Sequence, residues 1–330
     1  MTQLTETIPS PPYHQPDLSV LVVNYNTGFL LEQMFSALQA ARGSLNIQII
    51  VVDNASRDNS VEILRTTYPS VELICNAVNV GFGRANNQAI AKARGRYVLL
   101  LNTDAFVSSD TLFKTVDFME ENSRCGVLGV KLVGANGSLQ YSCRYFPTPW
   151  NLFLERTNLA RFFPKTRMID DMSWDHASTR ECDWVPGCYY LIRREVVKEI
   201  GLFDPRYFLY YEEVDHCRTV RAAGWTVVYY PFTQVVHIGG ESAKTEGPLT
   251  KDARQISDLQ IESELLYLRK HHGVGGILTT ALLTVLGNTF TSVKALLRSF
   301  DTKRASGAMK NIYKVFKLLI RTRLASRATH

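Results

Sequence analysis

Three carboxylates stand within four residues at Glu212-Glu213-Val214-Asp215, directly behind Phe208-Leu209-Tyr210-Tyr211. Acids crowded against apolar side chains lose hydration, and one of them can have its pKa pushed toward neutrality, which is what a general base requires. If the segment opens a helix, Glu212 and Asp215 share a face and Glu213 projects elsewhere. The same acids also suit an ordinary acidic helix start paired with Arg218 and Arg221. A second candidate is Asn102-Thr103-Asp104, which ends the apolar run Tyr97 to Leu101. A carboxylate at the end of a buried strand needs a cation or hydrogen-bond donors, so Asp104 is a candidate ligand for Mg²⁺ or Mn²⁺, ions commonly held by one or two carboxylates plus phosphate oxygens. Capping the following turn is its plainer role.

Other residues fit around these two. Asp53 and Asn54 end the run Ile47 to Val52, where Asp53 suits a nucleobase or ribose hydrogen bond and equally suits a turn. Residues 79 to 87, Asn-Val-Gly-Phe-Gly-Arg-Ala-Asn-Asn, bring two glycines and Arg84 to a predicted helix start, a setting that favours phosphate. The pattern is GxGxxN, so the dinucleotide fingerprint is not met. Trp184-Val-Pro-Gly187 is a rigid turn whose indole suits either a sugar face or the core. His237 precedes Ile238-Gly239-Gly240, and glycines allow a small ligand to approach an imidazole closely; a structural histidine is its alternative.

The elements that must position these residues follow from periodicity. Leu18 to Asn24, Ile47 to Val52, Val71 to Asn76 and Tyr97 to Leu101 read as strands, with helices from Gly28 to Ala41, after Asn59, and from Ala85 to Arg94. That alternation predicts an α/β fold with a Rossmann-like, mostly parallel central sheet flanked by helices. Ligands of such sheets bind beyond the carboxyl ends of the strands, and the polar clusters at Asn24 and Asn26, Asp53-Asn54 and Asn102-Thr103-Asp104 all fall there. Beyond residue 125 the rhythm loosens into shorter strands at Val127 to Val133, Leu139 to Arg144, Asp183 to Ile192 and Thr226 to Tyr230, with a flexible stretch from Pro164 to Arg180. The organisation expected is a disordered lead-in over 1–16, a catalytic domain over 17–245 and a helical, basic extension over 246–330.

Composition narrows the function classes. Hydrophobic residues make up 45% and charged residues 21%, an ordinary globular balance. The net charge of +6 is uneven: residues 294–330 hold ten Lys or Arg and a single acid, Asp301. A basic tail behind a mildly acidic body fits an anionic lipid surface better than nucleic acid. Lys310, Lys314, Lys317 and Arg321 recur along one helical face, with Ile312, Val315, Phe316 and Leu319 away from it, as in an interfacial helix. Residues 273–293 are uncharged, but glycines, threonines and Asn288 dilute them as a membrane span. The six cysteines form no CxxC pair and the N-terminal residues lack a secretory pattern, so the expected location is cytoplasmic, peripheral on the inner face of the membrane.

Six strings in order, LSVLVVNYN, IIVVDNASRDNS, NVGFGRANNQAI, YVLLLNTD, VPGCYYLIRREVVKEIGLFDPRYFLYYEEVDHCRTVRAAGW and VVHIGGES, resemble glycosyltransferase family 2 and its rhamnosyltransferase-like branch. The resemblance spans residues 18–242. It implies a GT-A fold, a divalent cation and single-displacement chemistry with inversion at the anomeric carbon. It further implies that Asp53 meets the base or ribose and that Asn102-Thr103-Asp104 stands at the family's DXD motif, with Asn102 in place of its first acid and His237 assisting Asp104. Glu212-Glu213 resembles the family's Glu-Asp pair, which makes Glu213 the implied base, with Glu212 and Asp215 as alternatives. The donor pocket would then draw on Asn24, Asn26, Asp53, Asn54, Arg84, Asn102, Thr103, Trp184 and Gly187. The branch favours dTDP-rhamnose over a UDP-sugar as donor, and a glycan or lipid-linked glycan as acceptor. A sugar-phosphate nucleotidylyltransferase is a competing reading, but it should carry a Gly-rich, basic phosphate loop after the first strand, where Asn24-Tyr-Asn-Thr stands. A non-catalytic nucleotide-sugar sensor of the same fold is another.

Overall fold

The computed structural model describes residues 15–239 and 258–330. The expected lead-in, apart from its last two residues, lies outside the described residues, as do the boundary near 245 and Gly240-Glu241-Ser242. Four parallel strands, β1 (Leu18–Asn24), β2 (Ile47–Asp53), β3 (Glu72–Cys75) and β4 (Tyr97–Asn102), form half of one sheet. Between them run α1 (Gly28–Ala41), α2 (Ser60–Thr67) and α3 (Phe82–Ile90). The strands read as unbroken apolar runs because both sheet faces are covered. Val98 and Leu100 of β4 face one core with Ala85 and Ala89 of α3, while Tyr97, Leu99 and Leu101 face the other with Leu31 and Met34 of α1.

The second half of the sheet is mixed. After β5 (Ala105–Val107) and α4 (Thr111–Glu121) come β6 (Cys125–Val133), β7 (Leu139–Gln140), α5 (Pro149–Thr157), β8 (Arg180–Glu181), β9 (Tyr189–Arg193), α6 (Arg194–Ile200), α7 (Glu212–Ala222) and β10 (Thr226–His237). The order is β3-β2-β1-β4-β9-β6-β10-β5, with β7 on β6 and β8 on β10. β9 inserts antiparallel between β4 and β6, so the chain enters it beside the carboxyl end of β4. Periodicity missed β5 and shortened β10, because short edge pairings depend on partners remote in sequence. The expected strand from Leu139 to Arg144 is only two residues long. The expected strand from Asp183 begins only at Tyr189, preceded by a single antiparallel bridge between Trp184 and Arg144 and a turn at Gly187-Cys188.

Two helices complete the chain, α8 (Asp258–Ser299) and α9 (Thr302–Arg321), and α8 is broken at Gly273 by a left-handed φ of 66°. The part before Gly273 is a core element: Leu265, Leu266, Tyr267 and Leu268 are fully buried. Its Lys270 and His271 meet Asp215 of α7 at 2.7 and 2.6 Å, and Ser263 donates to the Leu209 carbonyl at 2.8 Å. The first part of the helical stretch expected over 246–330 therefore packs against α7 and the loop before it. Along α9, Val315 and Leu319, expected on a free apolar face, are buried against the rest of the molecule with Leu318, and the exposed apolar residues are Met309, Tyr313, Phe316 and Ile320.

Asp215 joins Lys270 and His271 of α8 to the body of the molecule, and although Lys270 keeps Asp204 at 2.9 Å, loss of the buried carboxylate costs about 1–3 kcal/mol. Asp215→Ala is expected to lower the urea midpoint accordingly. An unchanged midpoint would show that the cluster with Lys270 and His271 does not hold α8 in place.

Candidate active site

Parallel register sets the floor of the site. Asn24 lies opposite Asp53, and Val23 opposite Asn102, so β1, β2 and β4 end flush. The strand entering β9 brings Gly187 and Cys188 alongside, since the Asn102 amide donates to the Cys188 carbonyl at 3.1 Å. The end of β10 arrives from the far edge, where the Ile238 amide donates to the Asp104 carbonyl at 3.0 Å. A cleft of about 760 Å³ opens over these ends. Asn54, Asn102, Thr103, Asp104, Gly187, Glu212, Glu213 and His237 all line it, so the structure brings together most of the residues that the sequence singled out.

On one wall His237 Nε2 lies 3.6 Å from Asp104 Oδ1, and its Nδ1 is 2.9 Å from Gln140 Oε1. Burial opposes a charge on His237, but Cys188 and the Asp104 carboxylate outweigh it and hold the imidazole pKa up at about 9. A cation could take the place of that proton. One carboxylate and one imidazole fit a Mg²⁺ or Mn²⁺ ion whose other positions are filled by diphosphate oxygens and water. No cluster of three His, Cys, Asp or Glu side chains suits a metal among the described residues.

On the opposite wall α7 begins. Glu212 is buried and Glu213 half-buried, and the Oε2 atoms of both lack a hydrogen-bond partner among the described residues. Burial and the neighbouring Glu213 push the Glu212 pKa well above the carboxylate range; burial raises that of Glu213 as well, against the pull of Arg144. Two successive residues ahead of them, Tyr210 and Tyr211, adopt left-handed φ angles of 70° and 69°. Such backbone is costly for a side chain of this size and persists only where the surroundings enforce it. Three contacts do so. The Phe82 amide donates to the Phe208 carbonyl at 2.8 Å, Tyr211 donates to Glu264 at 3.0 Å, and Ser263 holds Leu209. Gly81 makes the first contact possible, because a Cβ there would sit 2.3 Å from the Phe208 carbonyl oxygen.

Six residues expected at the site do not line the cleft. Asn24 donates to Asp53 at 2.8 Å and accepts from Thr27, and the other Asp53 oxygen accepts from the Ser56 amide at 3.0 Å, so both are engaged beneath the floor. Asn26 accepts from the Arg57 amide at 2.7 Å and shapes the same loop. Arg84 is half-buried and donates to the Pro205 and His330 carbonyls at 2.8 and 2.9 Å rather than lining the cleft. Trp184 is a core residue whose indole donates to the Tyr145 carbonyl at 2.9 Å. Asp215, turned toward α8, is not placed as a base. Glu212 and Glu213 both line the cleft, whereas Asp215, three residues on from Glu212 and equally buried, meets Lys270 and His271 of α8. Arg144 was missed by sequence reading. It lines the cleft, makes a two-pronged ion pair with Asp170 at 2.5 and 2.9 Å and lies 4.5 Å from the Trp184 ring centre, yet no local motif marks it.

Residues 19–201 match the family model described as Glycosyl transferase family 2. The chain is similar to an N-acetylglucosaminyl-diphospho-decaprenol L-rhamnosyltransferase of Mycobacterium tuberculosis, 28% identical over 67% of this chain and 75% of that protein. It is also similar to the rhamnosyltransferase WbbL of Escherichia coli, 25% identical over 66% of this chain and 82% of the relative. A mannosyltransferase of Pyrobaculum calidifontis, solved with GDP-Man and Mn²⁺, shares the fold at a TM-score of 0.52 and 14% identity, covering 96% of this chain and 89% of its own. The fold is GT-A, with a C-terminal helical extension.

The raised carboxyl pKa values make stability depend on pH. The folded protein keeps these protons to higher pH than the unfolded chain, whose glutamates titrate near 4.5. The resulting stability is full below that value and is lost as pH rises through the raised pKa values. Glu212→Gln is expected to flatten this slope and to raise the unfolding temperature at mildly alkaline pH. Parallel unfolding curves for the two proteins across the range would refute the assignment.

Proposed function

The chain belongs to glycosyl transferase family 2, and from that premise we propose that it is an inverting glycosyltransferase that moves L-rhamnose from dTDP-rhamnose to a glycan or lipid-linked glycan acceptor. The observation that carries this reading is the pairing, across one cleft, of the Asp104–His237 wall with two buried carboxyl oxygens of Glu212 and Glu213 that have no partner among the described residues. The rhamnosyltransferase names of the relatives support the donor over a UDP-sugar.

Asp104 and His237 would hold Mg²⁺ or Mn²⁺, which supplies positive charge for the diphosphate of the donor. Asn54, Asn102 and Gly187 border the nucleotide and sugar, and Gly187 leaves room because its missing side chain would face Phe82 and Glu213. Glu213 accepts the proton of the acceptor hydroxyl. That oxygen forms a bond to the anomeric carbon from the side opposite the diphosphate, and the carbon–oxygen bond to the diphosphate breaks with its electron pair leaving on the nucleoside diphosphate. Attack in line gives inversion, with no covalent sugar–enzyme species. A raised pKa suits Glu213 to this task, since a base works best when its pKa lies near the ambient pH. Glu212, more deeply buried, keeps its proton longer and positions its neighbour.

Glu213→Gln and Asp104→Ala are each expected to lower transfer by a factor of about 10² or more while folding is kept. Intact transfer in both would remove the assignment. Among nucleotide sugars, dTDP-rhamnose with Mn²⁺ is expected to give the largest rise in unfolding temperature. Equal or larger stabilisation by UDP-sugars would overturn the donor.

We also propose that the chain attaches peripherally to an anionic membrane face, through α8 beyond Gly273 and α9. By length and composition alone α8 is apolar enough to cross a membrane. Leu278, Leu282, Leu286, Phe290 and Val293 recur on it at steps of three or four and are exposed. Lys303, Arg304, Lys310 and Lys317 follow on α9, and such side chains each contribute about 1 kcal/mol beside anionic lipid. Binding to vesicles containing phosphatidylglycerol is expected to weaken with salt and to fall in Leu282→Glu/Phe290→Glu. A protein that stays wholly unbound at low salt would refute this attachment.

A further inference from the structure

A second cavity, of about 590 Å³, lies behind the cleft, within the size range of small-molecule sites. Most of its walls come from α5, α8 and α9, and the rest from the start of α7 and the turn at Trp184. Four residues, Arg144, Tyr210, Glu213 and Gln260, line both spaces, so the two meet at the carboxylate read above as the base. The lining of the second space is amphipathic and largely uncharged. Thr280, Thr284 and Asn288 line it at one-turn spacing along α8, and Leu152, Ile261 and Leu283 stand among them. Its arginines are held by acids, Arg156 by Glu264 at 2.5 Å and Arg144 by Asp170. Hydroxyls and amides interleaved with aliphatic side chains complement a sugar ring, which has polar edges and apolar C–H faces.

At the junction Glu213 Oε2 is buried and lacks a hydrogen-bond partner among the described residues. An unpartnered buried acceptor costs free energy unless a ligand donates to it. We propose that the second cavity is the acceptor chamber: it takes the uncharged, hydroxyl-bearing terminal sugar of the acceptor and presents one hydroxyl to Glu213 while the nucleotide sugar fills the first cleft. The proposal rests on the glycosyl-transfer reading. The hydroxyl hydrogen passes to Glu213, the oxygen bonds to the anomeric carbon, and the electron pair of the broken bond leaves on the nucleoside diphosphate. Leu283 and Thr284 face the chamber while Leu282 and Leu286 of the same helix turns are exposed, so a sugar carried on a lipid would reach the chamber from the apolar side of α8.

The test uses n-octyl N-acetylglucosaminide, an alkyl sugar whose headgroup appears in the name of a relative, as probe for the full-length protein. Saturation-transfer NMR should detect contact with its sugar protons. Thr284→Phe fills the chamber, and Asn288→Leu removes one amide at a half-buried helical position. Both are expected to keep the wild-type affinity for dTDP-rhamnose and to raise the KM for the probe about tenfold. Retained donor binding serves as the folding control, and if Thr284→Phe loses it, Asn288→Leu decides alone. Absence of saturation transfer in the wild type, or unchanged probe binding in the folded variants, overturns the chamber. Probe binding that is lost in the variants, with no donor turnover by the wild type, would instead sink the transferase reading and leave a sugar site standing.

Discussion

Two adjacent carboxyl groups held out of water, at Glu212 and Glu213, each with one oxygen that has no hydrogen-bond partner among the described residues, set the constraint on which the rest of the site depends. Burial of an ionisable acid is unfavourable, and it survives only where the surrounding structure is rigid enough to prevent escape to solvent. The start of a helix eases the burden, because its unpaired amides present partial positive charge to the first turn. The remaining cost falls on the backbone, where Tyr210 and Tyr211 take left-handed conformations. That strained loop is clamped from both sides, by the Phe82 amide at the start of α3 and by Ser263 and Glu264 on α8.

The clamp explains why the last helices cannot be treated as an appendage. Before Gly273, α8 supplies buried leucines, a tyrosine and the Lys270–Asp215 pair to the catalytic body. Beyond Gly273 the same helix exposes a row of apolar side chains. One glycine with positive φ thus separates a segment packed against the acids from a segment that exposes apolar side chains. The sheet solves the opposite problem at the other wall. Flush strand ends and an antiparallel insertion bring Asp104 and His237 within 3.6 Å, although they are far apart in the chain.

Much was readable from local pattern. Unbroken apolar runs marked β1, β2 and β4, and the polar residue at each run's end marked the crevice, because a doubly covered parallel sheet forces both features. Crowded acids behind aromatic residues marked Glu212 and Glu213 as perturbed. Local pattern did not tell which polar side chains would face the ligand. Asn24, Asn26 and Asp53 have the right chemistry at the right strand ends, yet their hydrogen bonds close on one another and on Thr27, Ser56 and Arg57.

What the sequence alone determined, therefore, is the fold class, the end of the sheet that carries the site, and the acids and amides offered to it, since strand period and strand-end polarity are local properties. Tertiary structure decided the direction in which each side chain was used. It turned Asp215 toward Lys270, placed Trp184 in the core, and brought Arg144 and Asp170 to the rim, each through contacts with residues distant along the chain. Burial, pairing and the left-handed turn before α7 are sums over such distant contacts, and a single sequence does not display them.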